Sequence, residues 1–154
     1  LASRGARGGE RGLGVGSGLR KVMGSSESLV RRLTLENELK GHTGCVNTVR
    51  WNNAGTLLVT GSDDTRLHIY DPYGGDLKET VVTGHRGNIF NALFLHHSGD
   101  RKIASCAADG EVRLTDLESK DVRLIARHRG MAHKVASCVD DPNLVLSCSE
   151  DGCV

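Results

Sequence analysis

The sequence predicts an all-β fold, about two and a half four-stranded blades of a β-propeller after a disordered leader. Three observations carry that prediction. A histidine, twice preceded by glycine, recurs every 43 residues, short strand-like runs bounded by turn residues fill each period, and aromatics are 3% of the chain while glycine numbers 20. Such a composition suits many tight turns rather than a helical bundle with large core side chains.

The repeat sets the order of the elements. Gly41-His42 recurs as Gly84-His85 and then as Arg127-His128, so the histidines stand 43 and again 43 residues apart. Thr60-Gly61-Ser62-Asp63-Asp64 aligns with Ser105-Cys106-Ala107-Ala108-Asp109 and with Ser147-Cys148-Ser149-Glu150-Asp151. Tyr70-Asp71 and Thr115-Asp116 then fall 45 apart, where a Trp-Asp dipeptide closes the third strand of such repeats. The chain divides accordingly into a leader (1–28), a segment entering the propeller (29–40), blade 1 (41–83), blade 2 (84–126) and a partial blade 3 (127–154).

Within blade 1 the predicted strands are Val46–Trp51, Leu57–Ser62, Arg66–Tyr70 and Leu77–Val82. Blade 2 repeats them as Ile89–Leu95, Lys102–Ala107, Glu111–Thr115 and Val122–Ala126, and blade 3 begins with Lys134–Val139 and Leu144–Ser149. Runs such as Leu57-Leu58-Val59 are continuously apolar, as strands covered on both faces are. Stacking of blades is therefore the expected source of the core. A closed propeller has four to eight blades, so the chain is expected to be a piece of a longer protein.

The recurring His and Asp have a structural reading. A His in the loop leading into a blade can donate to an Asp in the turn between the second and third strands, with a strand hydroxyl as its other partner. The expected sets are His42, Thr60 and Asp64; His85, Ser105 and Asp109; and His128, Ser147 and Asp151. Tyr70 and Thr115 stand where a Trp often completes the network, so blades 1 and 2 are expected to be held less firmly. His42→Ala should cost about 1–3 kcal/mol of stability in the complete protein, as for a lost buried hydrogen bond; an unchanged melting temperature would refute the assignment.

Other chemistries find little footing. Seven histidines invite a metal or catalytic reading, with His96-His97 or His128 and His133 as ligand pairs, but periodic recurrence accounts for His and Asp as architecture and no zinc-finger spacing is present. There is no Walker loop or G-x-S-x-G elbow, and Gly12, Gly14, Gly16 and Gly18 miss the G-x-G-x-x-G order. No catalytic residue, metal or cofactor is expected. Cys45, Cys106, Cys138, Cys148 and Cys153 form an odd set without a C-x-x-C pair, which reads as buried reduced thiols rather than a disulfide framework. No apolar run approaches the roughly eighteen residues of a membrane span, so no membrane partner and an intracellular location, nuclear or cytoplasmic, are expected.

From Leu29 onward the words become more restrictive than a generic repeat. The run Leu-Val-Arg-Arg-Leu-Thr-Leu-Glu-Asn-Glu-Leu-Lys-Gly-His-Thr-Gly-Cys-Val-Asn over residues 29–47, then Gly84-His85-Arg86-Gly87-Asn88-Ile89-Phe90, Ser98-Gly99-Asp100, Ala107-Ala108-Asp109-Gly110 and Glu150-Asp151-Gly152, resembles the WD-repeat propeller of substrate receptors of cullin-4 RING ubiquitin ligases, the WD-and-tetratricopeptide-repeat and cullin-4-associated-factor group. The resemblance covers residues 29–154. It implies a non-catalytic platform that joins the triple-propeller adaptor of those ligases to a protein substrate. Another assembly built on a WD scaffold, in RNA processing or signalling, is the alternative.

In that family, adaptor docking is associated with an Asp-x-Arg after the third strand of particular blades and with the segment before the first blade. Asp71 is followed here by Pro72-Tyr73 and Asp116 by Leu117-Glu118, neither with the arginine. The segment Leu29–Leu39 reads either as a short amphipathic helix clustering Leu29, Leu33 and Leu35 or as leucines packed on the first blade. Thr43, Asp63, Arg86 and Arg129, in loops at the His end of the blades, are the expected partner contacts.

Charge separates the leader from the rest. Residues 1–32 hold seven Lys/Arg against Glu10 and Glu27, net +5, whereas residues 33–154 hold thirteen basic against seventeen acidic, net −4. Residues 1–25, with eight glycines and no strand or helix period, read as disordered. Arg/Gly chains can bind RNA, and a truncated transit sequence has a similar composition, but without aromatics or a longer basic run no nucleic-acid partner is expected.

Overall fold

The computed structural model describes residues 30–154. The readings of residues 1–28 and of Leu29 fall outside the described residues. Residues 37–154 form one compact unit. They carry ten antiparallel strands: β1 (Val46–Trp51), β2 (Leu58–Ser62), β3 (Arg66–Asp71), β4 (Asp76–Val82), β5 (Ile89–Phe94), β6 (Lys102–Ala107), β7 (Glu111–Asp116), β8 (Val122–Arg127), β9 (Ala132–Ser137) and β10 (Val145–Ser149). Two meandering sheets, β1-β2-β3-β4 and β5-β6-β7-β8, are blades 1 and 2, and the pair β9-β10 is the third blade's beginning.

Every run predicted as a strand is one, and the ends differ for local reasons. Asn52 Oδ1 accepts the Leu57 N–H at 3.0 Å, which holds Leu57 in the turn and delays β2 by one residue. Strand β9 lies two residues earlier than Lys134–Val139, because Ala132 already pairs with Ser149. Arg127, aligned with the glycines that open blades 1 and 2, instead ends the outer strand of blade 2, paired with Glu111.

The blades stack through their inner strands: β1 and β2 pack on β5, and β5 and β6 on β9. The first core contains Val59, Leu67, Ile69 and Val81 of blade 1 with Ile89, Ala92, Phe94, Ile103 and Ala107 of blade 2. The second joins Leu95, Ala104, Cys106 and Val112 of blade 2 to Ala132 and Val135. Every residue of β2 is buried, the sandwiched condition its unbroken apolar run implies. Each large aliphatic side chain so buried contributes about 1.5–3 kcal/mol.

Two expectations are corrected. Among the described residues of the segment before blade 1, Val30–Leu33 make a single turn closed by the Leu33 N–H on the Val30 carbonyl at 3.1 Å, not an amphipathic helix, and Leu33 and Leu35 are 75% and 84% exposed. One turn leaves most helical donors without partners, so it gains little by itself. Of the five unpaired cysteines only Cys106 is buried; Cys45 and Cys153 are exposed because they lie in the loop and turn rather than on a covered strand face. Burial, with Cys148 nearby, pushes the Cys106 thiol up to about 12, which keeps it protonated and unreactive.

Candidate functional site

The site is the loop end of the blades, where each Gly-His or Arg-His loop crosses the turn between the second and third strands. His42 Nδ1 lies 2.8 Å from Asp64 Oδ2, and Nε2 lies 2.7 Å from Thr60 Oγ1. In blade 2, His85 Nδ1 lies 3.1 Å from Asp109 Oδ2, with Nε2 3.0 Å from Ser105 Oγ. In blade 3, His128 Nδ1 is 3.2 Å from Asp151 Oδ2 and Nε2 is 2.8 Å from Ser147 Oγ. A carboxylate only accepts, so Nδ1 carries the proton; in the neutral ring Nε2 then accepts from the hydroxyl.

Each Asp also ties down backbone. Asp64 accepts the N–H of Thr43 and of Arg66, both at 3.0 Å. Asp109 accepts from Arg86 and Glu111, and Asp151 from Arg129 and Cys153. Burial alone would raise the Asp64 and Asp109 carboxyls, but these bonds outweigh it and hold both below the ordinary range. Backbone donation from Arg129 and Cys153 takes Asp151 to about 2. Burial drives His85 the other way, keeping its ring neutral despite Asp109, and Arg113 adds to the effect.

The repeat hides a further landmark that sequence reading missed. Gly44, Gly87 and Gly130, 43 apart, follow the histidines by two. A Cβ at Gly44 would come 2.9 Å from the Asp64 nitrogen, and at Gly87 or Gly130 3.1 Å from the nitrogen of Asp109 or Asp151. The loop thus lies directly on the turn, where a side chain has no room.

Apart from Tyr70 and Thr115, the residues that surround these sets also went unforeseen. In blade 1 the His68 ring stacks on His42 with centroids 3.8 Å apart, and its Nδ1 lies 3.0 Å from the Tyr70 hydroxyl. In blade 2, Arg113 donates to Glu111 at 2.7 Å through Nε, and Arg127 closes on the same buried carboxylate. Thr115, where a Trp is usual, buries a hydroxyl with no partner. Asn91 fastens three blades: its amide donates to Thr48 Oγ1 and its oxygen accepts the Val135 N–H, both at 3.2 Å. None of these recurs at the 43-residue period as the same residue type, the signal by which His and Asp were found.

The expected contact residues fall unequally. Thr43, Arg86 and Arg129 are exposed, whereas Asp63 is half-buried and accepts from Asn47 Nδ2 at 2.6 Å. At the opposite end, Asp71 accepts the N–H groups of Tyr73 and Gly74 and Asp116 those of Glu118 and Ser119, so both carboxylates shape the turns after β3 and β7. Two residues after Asp71 stands Tyr73, 74% exposed and tilted against Trp51; two after Asp116 stands Glu118, bonded to Arg101 at 3.0 Å. His42, Asp64 and His68, and His85, Asp109 and Glu111, bring possible ligand atoms within 4.8 Å of one another, but both nitrogens of His42 and of His85 are occupied within the blade.

Four-stranded antiparallel blades stacked face to face, with His, Asp and a strand hydroxyl joined at the same point of each, define a WD-repeat propeller. The match to the "WD domain, G-beta repeat" model spans residues 33–71 and 77–116, and the chain belongs to that family. Among its relatives, human "DDB1- and CUL4-associated factor 6" is 40% identical over 147 residues, 93% of this chain and 17% of the relative. Mouse "WD and tetratricopeptide repeats protein 1" is 39% identical over 130 residues, covering 84% of this chain and 19% of the relative. "Protein ALTERED SEED GERMINATION 2" of Arabidopsis thaliana is 40% identical over 136 residues, 81% and 18%. The chain therefore spans under a fifth of the curated relatives it matches. The crystal structure of the C-terminal WD40 domain of Sif2 superposes with a TM-score of 0.64 at 27% identity, covering 80% of this chain and 34% of that one. No helix among the described residues is long and apolar enough to cross a membrane.

Proposed function

We propose that this chain belongs to a substrate receptor of a cullin-4 RING ubiquitin ligase and acts by holding proteins rather than by catalysis. The observation that carries the reading is geometric. Thr43, Arg86 and Arg129 occupy one position in three successive blades, each on a loop pinned through its own backbone N–H to a blade aspartate, with the side chain left exposed. Rigid loops presenting a row of variable side chains suit protein recognition, since little ordering entropy is lost on binding. Similarity to a DDB1- and CUL4-associated factor supports the choice of assembly.

In this reading the loop end receives the substrate, and the opposite end and the segment before blade 1 face the ligase adaptor. The two blades with complete third strands lack the docking arginine, so this reading does not rest on them for adaptor docking. Affinity purification of the full-length protein should recover the triple-propeller adaptor. Arg86→Glu with Arg129→Glu should lower substrate capture at least severalfold and leave adaptor recovery unchanged. Failure to recover the adaptor would refute the ligase assignment and favour a WD scaffold of another assembly.

A further inference from the structure

Blade 1 places two imidazoles in one buried stack. The rings of His42 and His68 lie 3.8 Å apart and 9° from parallel, His42 exposes 4% of its side chain, and His68 is 3% exposed. Among the described residues one carboxylate serves them, that of Asp64, and it already accepts from His42, Thr43 and Arg66. Among the described residues, the other groups around the pair supply no second anion. On β2 the residue opposite His68 is Thr60, on β4 it is Thr80, and β3 itself offers Arg66 and the Tyr70 hydroxyl. On the preceding segment Lys40 and Glu38 pair with each other at 3.1 Å, largely in solvent.

We propose that the stacked His42–His68 pair is a one-proton switch that frees the Thr43 loop of blade 1 on acidification. Because His42 Nδ1 already donates to Asp64, a first added proton enters where the stack faces a hydroxyl rather than the carboxylate, and the bond to Asp64 stays in place. A second, on His68, would place like charges ring to ring in a buried stack without a counterion, and separation of the rings relieves them. Separation moves His42, and with it the Asp64 carboxylate that holds the Thr43 N–H. Burial, then His42, already depresses His68 titration, consistent with this geometry.

Blade 2 lacks the device, because Arg113 stands on β7 where His68 stands on β3 and its charge does not change over this range. The unfolded loop would bind both protons below about pH 6.5, so release grows up to about tenfold per pH unit beneath that value. The consequence for partners, loss of one of three presented loops in acid, rests on the reading of the loop end as a substrate surface; the switch itself does not.

The test is NMR of the full chain with labelled histidines, following the imidazole carbons and the Thr43 amide proton, which Asp64 shifts downfield. The pair should take one proton on acidification from pH 7.5, and the Thr43 shift should collapse as the second enters, while the Arg86 amide on Asp109 keeps its own dependence. In His68→Gln the Thr43 shift should persist through about pH 5. Both rings protonated with the Thr43 shift intact would overturn the switch, as would an identical collapse in His68→Gln. Should that variant not fold, the native titration alone decides. None of these readings involves a partner, so failure here and failure of the receptor assignment are separate results.

Discussion

Blades 1 and 2 solve one problem in two ways. Both lack the tryptophan that commonly closes the network from the third strand, and both keep the His–Asp–hydroxyl set. Blade 1 fills the place with stacked His42 and His68 capped by Tyr70. Blade 2 fills it with charge: Arg113 and Arg127 converge on buried Glu111, Arg113 reaches the Thr83 carbonyl at 3.3 Å, and Thr115 keeps an orphan hydroxyl. The loop is pinned by bonds from the Asp carboxylate to backbone N–H groups, which no third-strand side chain makes. With the third-strand side chains uncharged or paired, as at neutral pH, either filling therefore leaves the presented loop in place.

The comparison is most easily broken at its ionic half. Arg113→Ala would leave Glu111 buried with Arg127 as its single guanidinium partner and should cost about 3 kcal/mol in denaturant unfolding. His68→Ala removes a neutral ring from a stack and should cost about 1–2 kcal/mol. Equal losses would mean that the two fillings are equivalent after all.

A smaller and opposite pair of effects concerns hydroxyls. Thr115→Val replaces an unpartnered buried oxygen by a methyl group and should be neutral or stabilising by up to about 1 kcal/mol. Tyr70→Phe deletes the partner of His68 Nδ1 and should destabilise by about 1 kcal/mol. Paired thermal denaturation curves check both signs, and destabilisation by Thr115→Val would show that its hydroxyl has a use.

Smallest is the shape of the acid limb. His68 and His85 have depressed folded values, so their contribution is present above the unfolded value near pH 6.5 and is lost as pH falls from there towards the folded value. Asp64, Asp109 and Asp151 are also depressed; their contribution is present above the unfolded value near pH 4 and is lost as pH falls through the folded values, about 2 for Asp151. Stability measured against pH should therefore decline in two windows. Substitution of His68 should soften the upper window and leave the share of His85.

The repeat made the His, Asp and hydroxyl positions legible, because each blade needs the same loop-to-turn bonds and the same residue types meet that need at a fixed spacing. Asn91 was not legible. It bonds Thr48 of the blade before and Val135 of the blade after, partners 43 and 44 residues away that only stacking brings together. The cysteines misled for a related reason: an apolar neighbourhood in sequence does not say which face of a strand a neighbouring blade covers, and Cys106 on β6 is buried while Cys148 on β10 is only half-buried.

By itself the sequence determined the repeat, the strands and the residues that join loop to turn, since period and local patterning are short-range properties of the chain. The tertiary structure alone decided what replaces the tryptophan. The stack of His68 on His42 exists only when a third strand meets a leading loop, and the convergence of Arg113 and Arg127 on Glu111 only when a third strand pairs with a fourth; burial then depresses the titration of His68.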